Sequence, residues 1–198
     1  MNSCALNNII PLLVIIIAIP FFIIASIVAG RKRTQALKKL SGYLTGSTPK
    51  ISFLPTFKGE YQGLKFSIML MPQSRNSPSY LNILVYKNST FKLRIYKESP
   101  LSNFGKRIGL VREVKTDDEF FDKEFLIFSN RVSSAIAYLN NINIKNSLRE
   151  VFNNGFTLLA INGRFIFAQK PNYIIEVDLE PPKIINILQK LCSLTSGL

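Results

Sequence analysis

The chain contains no histidine among its 198 residues. Histidine is the usual general acid or base near neutral pH, the usual partner of Ser and Cys nucleophiles, and a common zinc ligand. Its absence excludes Ser-His-Asp and Cys-His catalysis as well as histidine metal sites. An enzyme built on this sequence would have to work with carboxylates, lysine, tyrosine or serine.

Cysteine is also scarce, with only Cys4 and Cys192, near opposite ends of the chain. Two cysteines so far apart argue against a disulfide framework and against paired-cysteine metal sites. We therefore predict no metal and no cofactor. Apolar residues, in contrast, make up 47% of the chain and aromatic residues 11%, a composition that excludes a disordered protein. The residues after position 30 suffice for one domain with its own core.

The first 30 residues carry no charged side chain. Ile9 to Gly30 contains only one polar side chain, Ser26, and as a helix it would be about 33 Å long, close to the thickness of a bilayer core. We predict that residues 9–30 form a transmembrane helix that is kinked at Pro20. A cleaved signal peptide is the alternative, but residues 1–8 lack the basic side chains and the apolar core is too long.

A cluster of basic side chains follows this span and consists of Arg31, Lys32, Arg33, Lys38 and Lys39. Basic residues after an apolar span mark the cytoplasmic side. We therefore predict a single-pass membrane protein whose tail, residues 1–8, lies outside and whose domain is cytoplasmic. The lipid bilayer is the first predicted partner, and each basic residue near anionic headgroups contributes about 1 kcal/mol.

The rest of the chain predicts an α+β fold in which an antiparallel sheet is backed by two or three helices. We divide it into a basic juxtamembrane helix and linker, residues 31–48, and a domain, residues 49–198. Gln62-Gly63 and Asn162-Gly163 predict two hairpins, the second with a type I′ turn. Alternating apolar residues in 80–87 and 90–97, on either side of Asn88-Ser89, predict consecutive strands of an antiparallel meander.

The C-terminal part adds helices to this pattern. Val132, Ile136 and Leu139 have helical spacing, and so does the stretch from Ile144 to Phe152. A further strand is predicted at 173–179. Pro181-Pro182 opens a last helix with an apolar stripe, which consists of Ile184, Ile187, Leu188 and Leu191.

Acidic residues are concentrated at Asp117, Asp118, Glu119, Asp122 and Glu124. The group lacks the spacing and the glycine of a calcium loop. We interpret Thr116 to Glu119 as a capping box before a short turn whose Phe120, Phe121 and Phe125 enter the core. A carboxylate-dependent hydrolase remains an alternative, which requires Asp117, Asp118 and Asp122 to converge in a pocket.

Basic and aromatic residues also lie on two predicted strands, with Tyr86 on 80–87 and Lys92, Arg94 and Tyr96 on one face of 90–97. Such a face superficially suggests RNA stacking, but no RNP-type motif accompanies it, so we do not predict a nucleic-acid partner.

Residues 115–125 resemble the "TGD-x-x-FD-x-x-F" segment of uncharacterised bacterial membrane-anchored proteins that include the family of unknown function numbered 3137. Gly59-Glu-Tyr-Gln-Gly63 is similar to their "G-x-Y-x-G" hairpin, although Asp117 stands where that group has glycine. The resemblance implies membrane attachment and an α+β domain, and no activity.

These features favour a non-enzymatic interaction or assembly module, held at the membrane and working with an unknown protein partner. An exported, envelope-associated domain that faces the exterior is the second hypothesis, and the hydrolase is the third.

Overall fold

A computed structural model describes residue 28 and residues 30–48, 54–97, 112–116 and 118–198. The helices are α1 (residues 30–39), α2 (Glu119–Glu124), α3 (Val132–Leu139), α4 (Ile142–Asn153), α5 (Ile175–Asp178) and α6 (Pro181–Ser193). The strands are β1 (Thr45–Ser47), β2 (Thr56–Tyr61), β3 (Leu64–Met71), β4 (Tyr80–Tyr86), β5 (Lys92–Lys97), β6 (Arg112–Glu113), β7 (Phe125–Ser129), β8 (Leu158–Asn162) and β9 (Phe165–Pro171). Short 3-10 turns follow α1 and α6, at Leu40–Gly42 and Leu194–Gly197.

The strands form one antiparallel sheet in the order β1-β2-β3-β4-β9-β8-β5-β7-β6. Alternate residues of β3, β4, β5, β8 and β9 are buried, so one face of the sheet forms the core together with α4 and α6. The predicted α+β fold with an antiparallel sheet and several helices is confirmed. The helices at 132–139, 142–153 and 181–193 are confirmed as well, including the buried stripe of the last one.

The predicted meander is wrong at β4 and β5, which do not pair with each other. The β8–β9 hairpin lies between them: β4 pairs with β9 from Tyr80↔Pro171 to Tyr86↔Phe165, and β5 pairs with β8. An alternating pattern specifies which face of a strand is buried, but not which strand lies beside it. The long pairing of β4 with β9 is a tertiary contact that local sequence does not encode.

The two predicted hairpins are present, but only one has the expected turn. Gln62 and Gly63 both have positive φ, at 51° and 75°, as a type I′ turn requires. In the second hairpin Asn162 pairs with Phe165, so the central residues are Gly163 and Arg164, and only Gly163 has positive φ. The predicted type I′ turn at Asn162-Gly163 is therefore wrong, because the register is shifted by one residue toward the type II′ pattern.

Helix α1 and β1 are packed into the domain. Ala36, Leu37, Leu40 and Leu44 belong to the same hydrophobic core as the sheet. Gly46 of β1 pairs with Gly59 of β2. A side chain at Gly59 would strike the backbone oxygen of Thr45 and the ring of Phe66, so glycine permits this close pairing. Residues 36–48 thus lie within the folded unit and do not form a free linker.

The predicted transmembrane span, residues 9–30, lies outside the described residues except for Val28 and Gly30, which are helical. Within the part of the chain that the structure describes, no helix is long and apolar enough to cross a bilayer. The span and the tail before it stay predictions.

Candidate functional site

Three central strands meet at one end of the sheet, which we call the Pro171 end. Met71 ends β3, Tyr80 begins β4, and Pro171 ends β9, and the register pairs Met71 with Tyr80 and Tyr80 with Pro171. Helix α1 begins at this end, because the Arg33 guanidinium lies beside the Tyr173 hydroxyl. It runs toward the opposite end, where Thr45 pairs with Glu60. The chain therefore enters the domain from the predicted span at the Pro171 end.

The five basic residues predicted for the membrane surface lie on two sides of α1. Arg31, Lys32, Lys38 and Lys39 are exposed, and at 100° per residue they share the face opposite Leu37 and Leu40. Lys38 lies about 10 Å farther along the helix than Arg31, which exceeds the Debye length at physiological salt. Arg31 and Lys32 are therefore the members of this exposed face that lie nearest to the end of the predicted span.

Arg33 is the exception, because it is half-buried and turned toward the domain. Burial raises the pKa of the neighbouring Tyr173 hydroxyl, and the Arg33 charge opposes this only in part. Arg33 therefore ties the start of α1 to the segment that follows β9. Charge alone assigns Arg33 to the lipid surface and gives no sign of this contact.

That segment is held by a buried carboxylate, Asp178. Its side chain is 4% exposed and accepts hydrogen bonds from Lys170 Nζ at 2.8 Å and Lys183 Nζ at 2.7 Å. It also accepts the backbone N–H of Ile174 at 3.0 Å. Burial alone would raise the pKa of this carboxyl, but the donors outweigh burial and hold the pKa below its ordinary value.

The strand predicted at 173–179 is wrong, because residues 175–178 form helix α5. The reason is the hydrogen bond from the Ile174 N–H to Asp178, which closes the backbone into a turn. Asn172, with φ +51°, donates its N–H to the Ser79 carbonyl at 2.8 Å and fixes the entry to this turn. The alternation of Ile and Val with acidic residues resembles a strand, and only the buried partners of Asp178 reveal the helix.

The same turn points two aliphatic side chains into solvent. Ile174 is 56% exposed and Val177 is 49% exposed, whereas Tyr173 and Ile175 pack against the core. We call the segment 172–178 the α5 turn. The neighbouring loop that ends at Ser79 carries the exposed Arg75. Apolar and basic groups thus lie together at the Pro171 end.

The described carboxylates of the acidic cluster, on α2 and just before it, make contacts within the fold. Asp118 caps α2 by accepting the Phe121 N–H, and it forms an ion pair with Lys145 Nζ at 2.9 Å. The hydrogen bond from Lys145 and the backbone N–H hold the pKa of Asp118 below its ordinary value. The predicted capping box is wrong, because the cap is Asp118 and not Thr116.

Asp122 accepts hydrogen bonds from the backbone N–H and the hydroxyl of Thr116. Of the three phenylalanines predicted to enter the core, Phe121 and Phe125 are buried, whereas Phe120 is 78% exposed.

Asp117 lies outside the described residues, so the convergence that a hydrolase requires can be assessed only for Asp118 and Asp122. These two carboxylates face different partners, Lys145 and Thr116. Among the residues described, no group of three His, Cys, Asp or Glu side chains is placed to hold a metal.

A nearby cleft of about 170 Å³ is lined by Lys97, Lys123, Glu124, Phe125, Arg149, Phe152 and Asn153. Its single carboxylate, Glu124, accepts a hydrogen bond from Arg149 Nε at 2.9 Å.

The basic strand face lies elsewhere. Lys92 and Arg94 are exposed on β5, and Lys92 is at the end of that strand away from the Pro171 end. They are not part of the surface around Arg31.

The chain matches no protein-family model, and no curated protein matches it in sequence. A solved structure is similar in fold: the crystal structure of the mycobacterial trehalose monomycolate transport factor A, TtfA, superimposes with a TM-score of 0.54 at 9% identity. The match covers 85% of this chain and 95% of that chain. At this identity the likeness concerns the fold alone, and this chain is one more sequence that is compatible with the architecture of TtfA.

Proposed function

We propose that this protein is a single-pass membrane protein whose cytoplasmic domain is a non-enzymatic interaction or assembly module. The observation that carries the proposal is the burial of Leu37 and Leu40, both 0% exposed, a few turns after the predicted span. A freely tethered domain needs a flexible linker, whereas here the helix that leaves the span is part of the core. The domain is therefore held in one orientation at the bilayer.

A fixed orientation is useful to a protein that presents a surface to a neighbour in the membrane. Because α1 runs from the Pro171 end to the opposite end, the Pro171 end faces the bilayer and the opposite end projects from it. The likeness to TtfA, a transport factor, supports a protein partner of this kind. We propose that the partner is a component of a membrane transport assembly.

Topology mapping tests the orientation. Reporters that are active on only one side of the membrane are fused after residue 45 and at the C-terminus of the full chain. We expect both fusions to report the cytoplasm, because the basic residues follow the span and none precedes it. Activity of the exterior-specific reporter at both fusion sites would support the exported, envelope-associated alternative instead.

Neutralisation of the basic residues identifies which of them set this orientation. We expect a triple variant, Arg31→Gln, Lys32→Gln and Arg33→Gln, to give a mixed topology. The matched control, Lys92→Gln with Arg94→Gln, removes positive charge from β5 and should leave the topology unchanged. Equal effects of the two variants would contradict the proposal.

Co-purification from the native membrane tests the module hypothesis. The full chain is captured in mild detergent, and a stoichiometric membrane protein is expected to accompany it. The control is the Gly59→Ala variant, whose added methyl group disturbs the pairing of β1 with β2 without touching the span. Full-chain protein that purifies alone at native abundance would count against an assembly role.

A further inference from the structure

We infer that the α5 turn is a second membrane contact, in which Ile174 and Val177 enter the headgroup region of the bilayer beside the predicted span. This inference rests on the proposed membrane attachment and adds a lipid-binding site to it. The juxtaposition that carries it places Arg33, at the start of α1, close to Tyr173 in the α5 turn, while Leu37 and Leu40 farther along α1 are buried in the core.

The depth of the turn follows from helix geometry. Arg33 is three residues beyond Gly30, which corresponds to about 5 Å along the helix axis. The headgroup region on each side of the hydrocarbon core is about 5–8 Å thick. Tyr173 is therefore level with the headgroups when the predicted span fills the core.

The α5 turn is held by hydrogen bonds at both of its ends. Asp178 holds the Ile174 N–H and two lysines, and Asn172 is tied to Ser79. Tyr173 and Ile175 pack against the core. With the turn bonded in this way, Ile174 and Val177 lie outside, and each leaves about half of its surface in water.

The charges around the turn fit an anionic bilayer. Arg31 and Lys32 are exposed on α1, and Arg75 is exposed on the loop bonded to Asn172. Glu176 on α5 and Glu180 just after the α5 turn are exposed as well, and both acidic side chains must remain in water. Basic residues around an apolar tip are typical of surfaces that bind anionic lipid, in which apolar side chains penetrate about 5–10 Å.

The chain contains no tryptophan, so one introduced tryptophan reports its own surroundings. The full chain is reconstituted into vesicles of phosphatidylcholine and phosphatidylglycerol as Ile174→Trp or, separately, Val177→Trp. The control is Ile142→Trp, which replaces a side chain of similar exposure, 60%, at the far end of α4. Lys170 contacts Asn154 at the other end of α4, so Ile142 lies about 18 Å from the Pro171 end.

We expect the fluorescence emission of the Ile174→Trp and Val177→Trp variants to shift to the blue on reconstitution. Lipids brominated near the top of the acyl chain should reduce that emission more than lipids brominated near its end. The Ile142→Trp control should show neither effect. All three positions are exposed, so the variants should retain the thermal unfolding midpoint of the parent. Positions 174 and 177 test the inference independently of each other.

Two failures are distinguishable. A chain that does not float with the vesicles would remove the membrane anchor and with it the proposed function. A chain that floats while the Ile174→Trp and Val177→Trp variants emit like the Ile142→Trp control would overturn the second membrane contact alone.

Discussion

Asp178 and Lys145 are both buried charged residues, but they are compensated in opposite ways. Asp178 is 4% exposed, and its two partners, Lys170 and Lys183, are 15% and 27% exposed. Lys145 is 9% exposed, and its single partner, Asp118, is 29% exposed. The group removed from water is the acid, Asp178, in the first cluster and the base, Lys145, in the second. The costly change in each is therefore the loss of the more exposed partner, which leaves a buried charge alone.

The largest effect is expected from Lys170→Met combined with Lys183→Met. Methionine keeps the apolar stems, but the Asp178 carboxylate is left without a cation. We expect the free energy of unfolding to fall by about 3–5 kcal/mol, the usual cost of an uncompensated buried charge. Urea unfolding of the full chain in detergent, followed by circular dichroism at neutral pH, measures it.

The matched control is Lys190→Met, which lies on the same helix as Lys183 and breaks a more exposed pair with Glu150. Its cost should be at most about 1 kcal/mol. A double variant no less stable than this control would show that Asp178 does not depend on its lysines.

The same double variant should reverse the pH dependence of the contribution that Asp178 makes to the free energy of unfolding. In the parent the pKa of Asp178 is lowered, so its contribution is present above the unfolded-state pKa of about 3.9 and is lost at lower pH. Without the lysines, only the Ile174 N–H opposes burial, so burial raises that pKa. The variant therefore loses stability as pH rises above about 4. Urea unfolding across acidic and neutral pH should show the deficit shrinking in acid, and a constant deficit would contradict this prediction.

Smaller losses of stability are expected at the Asp118–Lys145 pair, where two variants should differ in the size of the loss. Asp118→Asn retains a side chain that can cap α2, but it leaves the Lys145 ammonium buried 5.3 Å from the centre of the Phe121 ring. Lys145→Met leaves a carboxylate that water can reach. We expect Asp118→Asn to lower the urea midpoint more than Lys145→Met. If Lys145→Met lowers the urea midpoint more, burial of the Lys145 ammonium does not determine how much this ion pair contributes to stability.

The smallest effect is expected from Lys123→Ala, on the surface of α2. Its pair with Glu119 is 3.8 Å long, and the two side chains are 73% and 87% exposed. Such a pair contributes little, so the free energy of unfolding should change by less than about 0.5 kcal/mol. A larger loss by the same urea assay would mean that exposure does not separate the important ion pairs from the others.

Periodicity in the sequence is sufficient to predict the α+β class, the helices at 132–153 and 181–193, and the hairpin at Gln62-Gly63. Each of these depends on residues close in sequence. It is not sufficient to place β9 beside β4, because the pattern of β4 suits any strand with the same buried face. It also misses Lys170 and Lys183, since nothing local marks a lysine that will meet a buried carboxylate.

The candidate site shows the same division. Charge alone groups Arg31, Lys32, Arg33, Lys38 and Lys39 together, but their surroundings differ because α1 packs by one face. That face turns Arg33 toward Tyr173 and leaves Arg31 and Lys32 outside. Periodicity assigns Ile174 and Val177 to a strand, where one of them would be expected in the core, whereas both are exposed on the α5 turn.

The sequence by itself determined the uncharged segment 9–30, the basic residues behind it and the absence of histidine chemistry, because these depend only on composition and order. Tertiary structure alone decided that α1 is part of the core, that the chain enters at the Pro171 end, and that the α5 turn lies beside it. The physical reason is that Leu37 and Leu40 are buried in a core built from strands far away in sequence, and that the Asp178 carboxylate is buried only where β9, α5 and α6 fold together.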